Sequence, residues 1–236
     1  MQETEQPTAP GRTFRYLDMI SVMFVAILLI SNITSIKPLG LPAWMRIEMD
    51  GGNILFPLSY IFGDILVEVY GFARSRRVIW MGFAANGVAA MIFSLVVALP
   101  AAPGWEYQTA FSQILGQTPR VVLGSLCAFL CGELVNATIM AKMKIWSSGR
   151  WLWTRTIGST LAGQLVDSAL FTLIAFAGVW DQETLIKVIV GNYLFKVTYE
   201  IMATPMTYAI VRALKRAEHE DFYDRGTVFN PFTWKV

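Results

Sequence analysis

Long apolar stretches separated by short polar segments dominate the hydrophobic pattern of the chain. Five of them reach the roughly 20 residues that span a hydrocarbon layer of ~30 Å. They lie at about 17–33, 78–99, 121–141, 156–179 and 185–211. A sixth stretch, at about 54–72, is interrupted only by Asp64 and Glu68. Because no segment shows sustained alternation, the pattern predicts an all-α polytopic membrane protein with a bundle of six transmembrane helices.

Polar or ionisable residues lie near the middle of four of these stretches. A charge at that depth costs several kcal/mol unless it is paired, hydrated or neutralised. Counting about 1.5 Å per residue places several of these residues at one depth, near the bilayer midplane, where secondary transporters bind their substrates. Interhelical hydrogen bonds that only hold the helices together are the alternative. The candidate substrate-binding residues are Asp64, Glu68, Glu133, Asn136, Gln164, Asp167, Asn192, Lys196 and Glu200.

A short internal similarity places a glycine directly before a polar residue in three predicted helices. Residues three or four apart share a helix face, so each helix has one polar stripe and otherwise apolar faces. A small residue beside each polar group allows close helix approach or leaves room for a ligand. We therefore expect the stripes to face one another. The three segments are Gly63-Asp64-Ile65-Leu66-Val67-Glu68, Gly132-Glu133-Leu134-Val135-Asn136 and Gly163-Gln164-Leu165-Val166-Asp167.

Composition and charge placement indicate how the chain lies in a membrane. The chain is 55% hydrophobic and only 15% charged, which is too apolar for a soluble protein of this size. Of 19 Lys and Arg residues, 14 flank the termini and alternate connections, whereas Lys37, Arg46 and Arg120 lie on the opposite side. The excess predicts that both termini are cytoplasmic.

The same placement predicts three regions along the chain. We expect a cytoplasmic N-terminal tail at 1–15, a six-helix transport domain at 16–215 and a cytoplasmic C-terminal tail at 216–236.

Other function classes find little support in the motifs. The sequence has no HExxH segment, nucleophile elbow or nucleotide-binding motif, so an enzyme is not expected and any ATPase must be another chain. Cys127 and Cys131 lack partners for a metal site, and the single histidine, His219, lies in a charged tail. We expect no catalytic residue, metal, cofactor or nucleic-acid partner. A channel is an alternative that a continuous cavity would favour.

Four sequence blocks resemble the queuosine precursor transporter family, a vitamin-uptake-transporter-like group. The blocks are FPLSYIFGDILVEVYG, GELVNATIMAKMK, GQLVDSALF and GNYLFKVTYEIMATPMTY. The resemblance covers roughly residues 14–215. It implies a bacterial inner-membrane protein that imports 7-cyano-7-deazaguanine or 7-aminomethyl-7-deazaguanine for salvage into tRNA queuosine. It also implies a fold similar to the substrate-binding subunits of energy-coupling-factor importers. The alternative function is therefore such a subunit of an ATP-driven importer for a vitamin or nucleobase.

A purine-like base suits the polar residues of the predicted bundle. A carboxylate can accept hydrogen bonds from two adjacent donors of a guanine-like edge, and Asn or Gln can satisfy the other positions. Glu133, Asn136, Gln164 and Asp167 are the first choices for ligand contacts. Because an unpaired ammonium is costly in the membrane, we expect Lys196 to pair with a carboxylate, either Glu200 or Asp64.

Three hypotheses for energy coupling remain open from the sequence. Five acids face two lysines at membrane depth, so a proton-linked step through Asp64 or Glu68 is one of them. Facilitated diffusion followed by metabolic trapping is the second, and an energising ATPase module, which is not expected, is the third. The expected partners are a small purine-like base and the lipid bilayer, and a homodimer is left open.

Overall fold

The computed structural model describes residues 14–34, 37–40, 48–116, 119–178 and 181–233. This part of the chain forms seven α-helices, a two-stranded antiparallel pair and one 3-10 turn. The helices are α1 (Leu17–Thr34), α2 (Phe56–Tyr70), α3 (Phe72–Ala98), α4 (Gln108–Leu115), α5 (Pro119–Trp146), α6 (Leu152–Phe176) and α7 (Gln182–Glu218). The strands β1 (Pro38–Gly40) and β2 (Glu48–Asp50), with the 3-10 turn (Gly51–Ile54), join α1 to α2.

Helix α2 lies at the centre of the bundle, in contact with α1, α3, α5 and α7. Twelve of its 15 residues are buried, so it has almost no face left for lipid. Phe24 and Leu28 of α1, Ile79 of α3 and Met140 of α5 belong to the core that surrounds it. A helix buried all round is shielded from lipid by its neighbours. This explains how the stretch at 54–72 accommodates two acids.

Four stretches are long and apolar enough to cross a membrane. They are Leu17–Thr34, Phe72–Ala98, Gln108–Trp146 and Leu152–Phe176. Helix α2 is only about 22 Å long at 1.5 Å per residue, shorter than a ~30 Å hydrocarbon layer. It begins beside Pro57, which has no N–H to donate, and ends at Gly71, whose φ of 85° favours glycine. The described residues thus form an all-helical membrane domain with four such spans, and the count of six stays a prediction.

Helix α6 shows most clearly how the polar stripes are arranged. It packs most extensively against α5. Its leucines at 161, 165 and 173 are exposed on the opposite side. A helix on the surface of a soluble protein has the reverse pattern. The prediction that α6 turns its polar stripe inward is therefore confirmed. The buried polar residues of this stripe are Thr156, Ser159, Thr160, Gln164, Asp167, Ser168 and Thr172.

Cations from alternate connections lie together at one end of the bundle, which we call the basic end. Its members are Arg74, Arg76, Lys144, Arg155 and Lys215. This grouping confirms that these connections share one side. Which side of the membrane it faces stays a prediction. Arg12, Arg46 and Lys235 lie outside the described residues, as do residues 1–13 of the predicted N-terminal tail.

The C-terminal segment 221–232 packs onto the basic end. The Asp224 carboxylate accepts the backbone N–H of Phe72 at 3.0 Å and thereby caps the N-terminus of α3, where Gly71 offers no side-chain cap. Arg76 donates to the carbonyl oxygens of Val228 and Asn230. The predicted tail at 216–236 thus starts inside α7, and its later part is held against α3.

Candidate functional site

The three glycines of the internal similarity lie where α2, α5 and α6 cross. A Cβ on Gly132 would come within 2.7 Å of the Tyr60 hydroxyl and 2.9 Å of Asp167 Cβ. A Cβ on Gly163 would come within 2.9 Å of Asn136 Cβ, and one on Gly63 within 2.7 Å of a Glu133 carboxylate oxygen. Real Cβ atoms essentially never show such short contacts, so a side chain at Gly132 or Gly163 would push against the facing helix, and one at Gly63 would displace the Glu133 carboxylate. The glycines allow the polar residues beside them to meet.

Four carboxyl groups meet at this crossing, and we call them the acidic cluster: Asp64, Glu133, Asp167 and Glu200. They come from α2, α5, α6 and α7 respectively, and each residue is at least 97% buried. Glu133 is within electrostatic range of the other three, and Glu200 also interacts with Asp64. Four of the nine candidate residues, distant in sequence, are thus brought together near the centre of the bundle.

Two members of the acidic cluster have partners in the structure. The Asn136 side-chain amide donates to Asp64 Oδ1 at 2.9 Å. The Lys196 ammonium forms an ion pair with Asp167 and also lies 4.5 Å from the centroid of the Phe56 ring. The prediction that Lys196 pairs with a carboxylate is confirmed, but the expected partners, Glu200 and Asp64, were wrong. The lysine reaches from α7 to α6, and a sequence cannot show which neighbouring helix is within reach.

Several buried polar atoms of the same region have no hydrogen-bond partner among the described residues. They include both carboxylate oxygens of Glu133 and of Glu200, the Gln164 and Asn136 amide oxygens, and the Tyr60 hydroxyl. Each such group costs about 1–3 kcal/mol when it is left unsatisfied. Interhelical hydrogen bonds that only hold helices together would not leave these acceptors open. The arrangement suits a bound ligand that supplies hydrogen-bond donors.

Tyr60 also lies in this region, and the sequence did not predict a role for its hydroxyl. The side chain is fully buried, and the hydroxyl faces Gly132, within electrostatic range of Glu133, Asp167 and Glu200. The position of Tyr60 one turn before Asp64 on α2 is the only sequence signal for a polar role.

Glu68 belongs to a different cluster, at the basic end. Its carboxylate lies 2.5 Å from the Lys215 ammonium, 2.8 Å from the Arg155 guanidinium and 3.5 Å from the Lys144 ammonium. Asp221 bridges the two lysines at 2.6 and 2.7 Å. Burial raises the pKa of Asp221, but hydrogen bonds from the two lysines outweigh this and lower its pKa overall. Glu68 therefore serves a compensated ionic network that joins α2, α5, α6 and α7.

An open cavity of about 520 Å³ lies beside this network, between α6 and α7. Glu68, Arg155 and Lys215 contribute to its lining, together with Arg212 and Arg216. The cavity thus reaches the charged network rather than the acidic cluster. Arg155 is one of the cations of the alternate connections, yet it is only 1% exposed.

Asn192, the remaining candidate residue, lies apart from these contacts. It is half-buried on α7, one turn from Lys196, and its side chain makes no hydrogen bond with another described residue. Gln164, by contrast, is 1% exposed on the inward stripe of α6. The structure therefore brings seven of the nine candidates to one region, with Glu68 at the basic end and Asn192 at the periphery.

A second polar contact, which the sequence did not reveal, joins α1, α3 and α5. The Asn32 amide donates to Asn86 Oδ1 at 2.6 Å, and the Ser125 hydroxyl donates to Asn32 Oδ1 at 3.1 Å. These residues border a small cavity of about 50 Å³. Because the amides and the hydroxyl satisfy one another, the contact is structural. As for metals, no group of three or more His, Cys, Asp or Glu among the described residues could hold an ion.

Comparisons with known proteins identify relatives of this chain. Residues 50–210 match the family described as "Putative vitamin uptake transporter". The chain is 31% identical over 168 residues to the "Probable queuosine precursor transporter" of Bacillus subtilis, covering 71% of this chain and 73% of that protein. It is 24% identical over 163 residues to the "Queuosine precursor transporter" of Escherichia coli, covering 68% and 71%.

A third relative, from Haemophilus influenzae, carries the name "Probable queuosine precursor transporter". It is 22% identical over 166 residues, which are 68% of this chain and 67% of that protein. No solved structure matches the chain, so the expected likeness to energy-coupling-factor subunits stays a prediction. All three relatives are named as transporters and none as an enzyme. The chain belongs to the family of queuosine precursor transporters, the vitamin-uptake-transporter group.

Proposed function

We propose that this chain imports queuosine precursors, 7-cyano-7-deazaguanine or 7-aminomethyl-7-deazaguanine, across the bacterial inner membrane. The observation that carries the proposal is the set of unpartnered buried acceptors at the crossing of α2, α5, α6 and α7. The names of the three relatives supply the substrate class.

The ligand chemistry follows from the types of atom that lack partners. A 7-deazaguanine presents a ring N–H beside an exocyclic amine, and one carboxylate can accept from both. Glu133 is our choice for this contact, because both of its oxygens are open and fully buried. Gln164 and Asn136 offer amide oxygens to the pyrrole N–H, and the Tyr60 hydroxyl can donate to the base carbonyl.

Binding must be coupled to movement of the helices. Glu133 and Tyr60 are 0% exposed, so a base reaches them only when helices separate. We propose a transport domain at 16–215 with six spans, which alternately opens this region to the two sides of the membrane. The excess of cations at the basic end supports a cytoplasmic location for this end and for both termini.

The charges around Asp64 and Glu68 distinguish these two candidates for a proton-linked step. Glu68 already has three cationic partners, so its negative charge is compensated. Asp64 has a neutral amide as its hydrogen-bond partner. If transport is coupled to protons, Asp64 is therefore the better candidate than Glu68.

Uptake of radiolabelled 7-cyano-7-deazaguanine into cells that cannot synthesise queuosine tests the function. The host should express no energising ATPase partner. We expect uptake by the wild-type chain, loss with Glu133→Gln, and wild-type uptake with Glu183→Gln. Glu183 is a matched control, because it lies on the exposed surface of α7 and, among the described residues, its carboxylate pairs only with Lys187 one turn away.

Membrane insertion and amount of each variant must be equal for the comparison to count. No uptake by an inserted wild-type chain would contradict an autonomous importer. Uptake that appears only on co-expression of an ATPase module would instead support the binding-subunit alternative.

A further inference from the structure

We propose that the acidic cluster selects its substrate by charge. It prefers the cationic aminomethyl base to the neutral cyano base and rejects a base with an anionic group at the same position. Glu200 receives the ammonium of the aminomethyl group. This inference rests on the proposed function and adds to it the member of the substrate class that the site favours.

The first reason is the balance of charges around the site. The acidic cluster has four carboxyl groups, and among the described residues one ammonium, that of Lys196, contacts it. This ammonium is already paired with Asp167. The Arg155 guanidinium acts on Asp64 through space, but it is hydrogen-bonded to Glu68. A ligand cation therefore finds acceptors without a partner, whereas a ligand anion finds no free cation in the cluster.

The second reason is the number and type of the open hydrogen-bonding atoms. Both oxygens of Glu133 and both oxygens of Glu200 lack partners, so two carboxyl groups await donors. The guanine-like edge of the base supplies one adjacent pair of donors, which one carboxylate accepts. Donors elsewhere on the ligand can satisfy the second carboxylate. An aminomethyl ammonium has three donors, whereas a nitrile has only an acceptor, which would face another acceptor.

The positions of the two glutamates decide which one meets the ammonium. A Glu133 oxygen lies against Gly63 at the crossing of α2 and α5, and Asn136 lies one turn further along α5. These groups match the ring atoms of the base. Glu200 comes from α7, one turn from Lys196, on the helix that already supplies a cation to the cluster. An ammonium carried by the ligand would pair with the Glu200 carboxylate as the Lys196 ammonium pairs with Asp167.

The test is equilibrium binding to the purified full-length chain. Radiolabelled 7-cyano-7-deazaguanine is displaced by the unlabelled cyano, aminomethyl and carboxy forms of the base. For the wild-type chain we expect the aminomethyl form to bind at least about tenfold more tightly than the cyano form. This is the difference in affinity that one charge-assisted hydrogen bond typically provides. We expect no displacement by the carboxy form at concentrations at which the other two saturate.

Two glutamate variants separate the roles of the carboxyl groups. Glu200→Gln should reduce the preference for the aminomethyl form to about one. Glu133→Gln should weaken both forms alike. Glu200→Asp keeps the charge and should keep the direction of the preference, and Glu183→Gln should leave all affinities unchanged. Thermal unfolding of each variant establishes that it is folded.

The outcomes distinguish this inference from the function on which it rests. Equal affinity of the folded wild-type chain for the cyano and aminomethyl forms overturns the charge preference and leaves the proposed function intact. The same holds if Glu200→Gln retains the full preference. Binding of the carboxy form as tightly as the others also overturns it. If the folded wild-type chain binds none of the bases, the proposed function fails together with the inference.

Discussion

Replacing Gly132 by alanine tests whether the close crossing of α2, α5 and α6 builds the site. The new Cβ would lie 2.7 Å from the Tyr60 hydroxyl, 2.9 Å from Asp167 Cβ and 3.1 Å from the backbone carbonyl oxygen of Gly163. Carbon atoms in good contact are about 3.5–4.0 Å apart, so these neighbours must retreat by roughly 0.5 Å or more. They come from two helices, α2 and α6, and no single side-chain rotation relieves all three contacts.

The expected cost follows from overpacking a close-packed interior. Overpacking by one methyl group costs about 1–3 kcal/mol, against a gain of about 1 kcal/mol in helix propensity from glycine to alanine. For a chain of this size, each kcal/mol lowers the unfolding temperature by roughly 2–4 °C. We therefore expect Gly132→Ala to be destabilised by up to several degrees, and to lose uptake because Tyr60 and Asp167 are displaced.

Gly87→Ala is the matched control for this variant. Gly87 is also inside a helix, α3, but an added Cβ meets nothing within 4 Å. The control therefore gains helix propensity without a clash and should be as stable as the wild type or slightly more so. Thermal unfolding in detergent and radiolabelled uptake measure both effects. If Gly132→Ala unfolds at the same temperature as Gly87→Ala and takes up substrate equally well, the close crossing does not build the site.

Three further predictions concern the ion pairs. Glu68→Gln leaves three cations without their shared carboxylate and should destabilise the folded chain by about 3–5 kcal/mol in thermal unfolding, and adding Arg155→Met should recover part of the loss. Asp167→Asn should lower the free energy of unfolding by several kcal/mol, because Lys196 loses its partner. The double variant Asp167→Asn with Lys196→Met should recover this stability but not uptake. Full uptake by the double variant would disprove a role of this ion pair in transport. Hydrogen bonds from two lysines outweigh the effect of burial and lower the pKa of Asp221 in the folded chain. The ionised Asp221 therefore stabilises the folded chain fully above the ordinary pKa of 3.8, and this contribution is lost as the pH falls through the lower folded pKa. Unfolding temperatures of Asp221→Asn and the wild type should thus differ at neutral pH and converge in acid, and a difference that persists unchanged in acid would contradict this.

The hydrophobic pattern predicted much of the fold because helix formation and membrane burial depend on local sequence. Every predicted stretch corresponds to a helix, and the boundaries agree within a few residues except where α3, α5 and α7 extend beyond the apolar region. The inward polar stripe of α6 could also be predicted, since residues three or four apart share a face. The short α4 and the pair of β1 and β2 were not predicted, because segments of eight and three residues carry too little periodic signal.

The sequence predicted which residues form the candidate site better than it predicted the contacts between them. Depth along each helix correctly grouped Asp64, Glu133 and Asp167, because the rise per residue is constant. Depth alone did not separate Glu68 from these three residues, because Glu68 lies only one turn from Asp64 on the same helix. A single turn moves a side chain from the acidic cluster to the basic end. Only the cations on neighbouring helices reveal that difference.

By itself, the sequence determined that this chain is a helical membrane protein with polar residues facing inward, since the hydrocarbon imposes these features on each helix separately. Only the tertiary structure decided the partners. It paired Lys196 with Asp167, placed the Tyr60 hydroxyl among the acids and left Glu133 and Glu200 open. These contacts depend on how closely the helices cross and how they are rotated. Both properties arise from packing between segments distant in sequence.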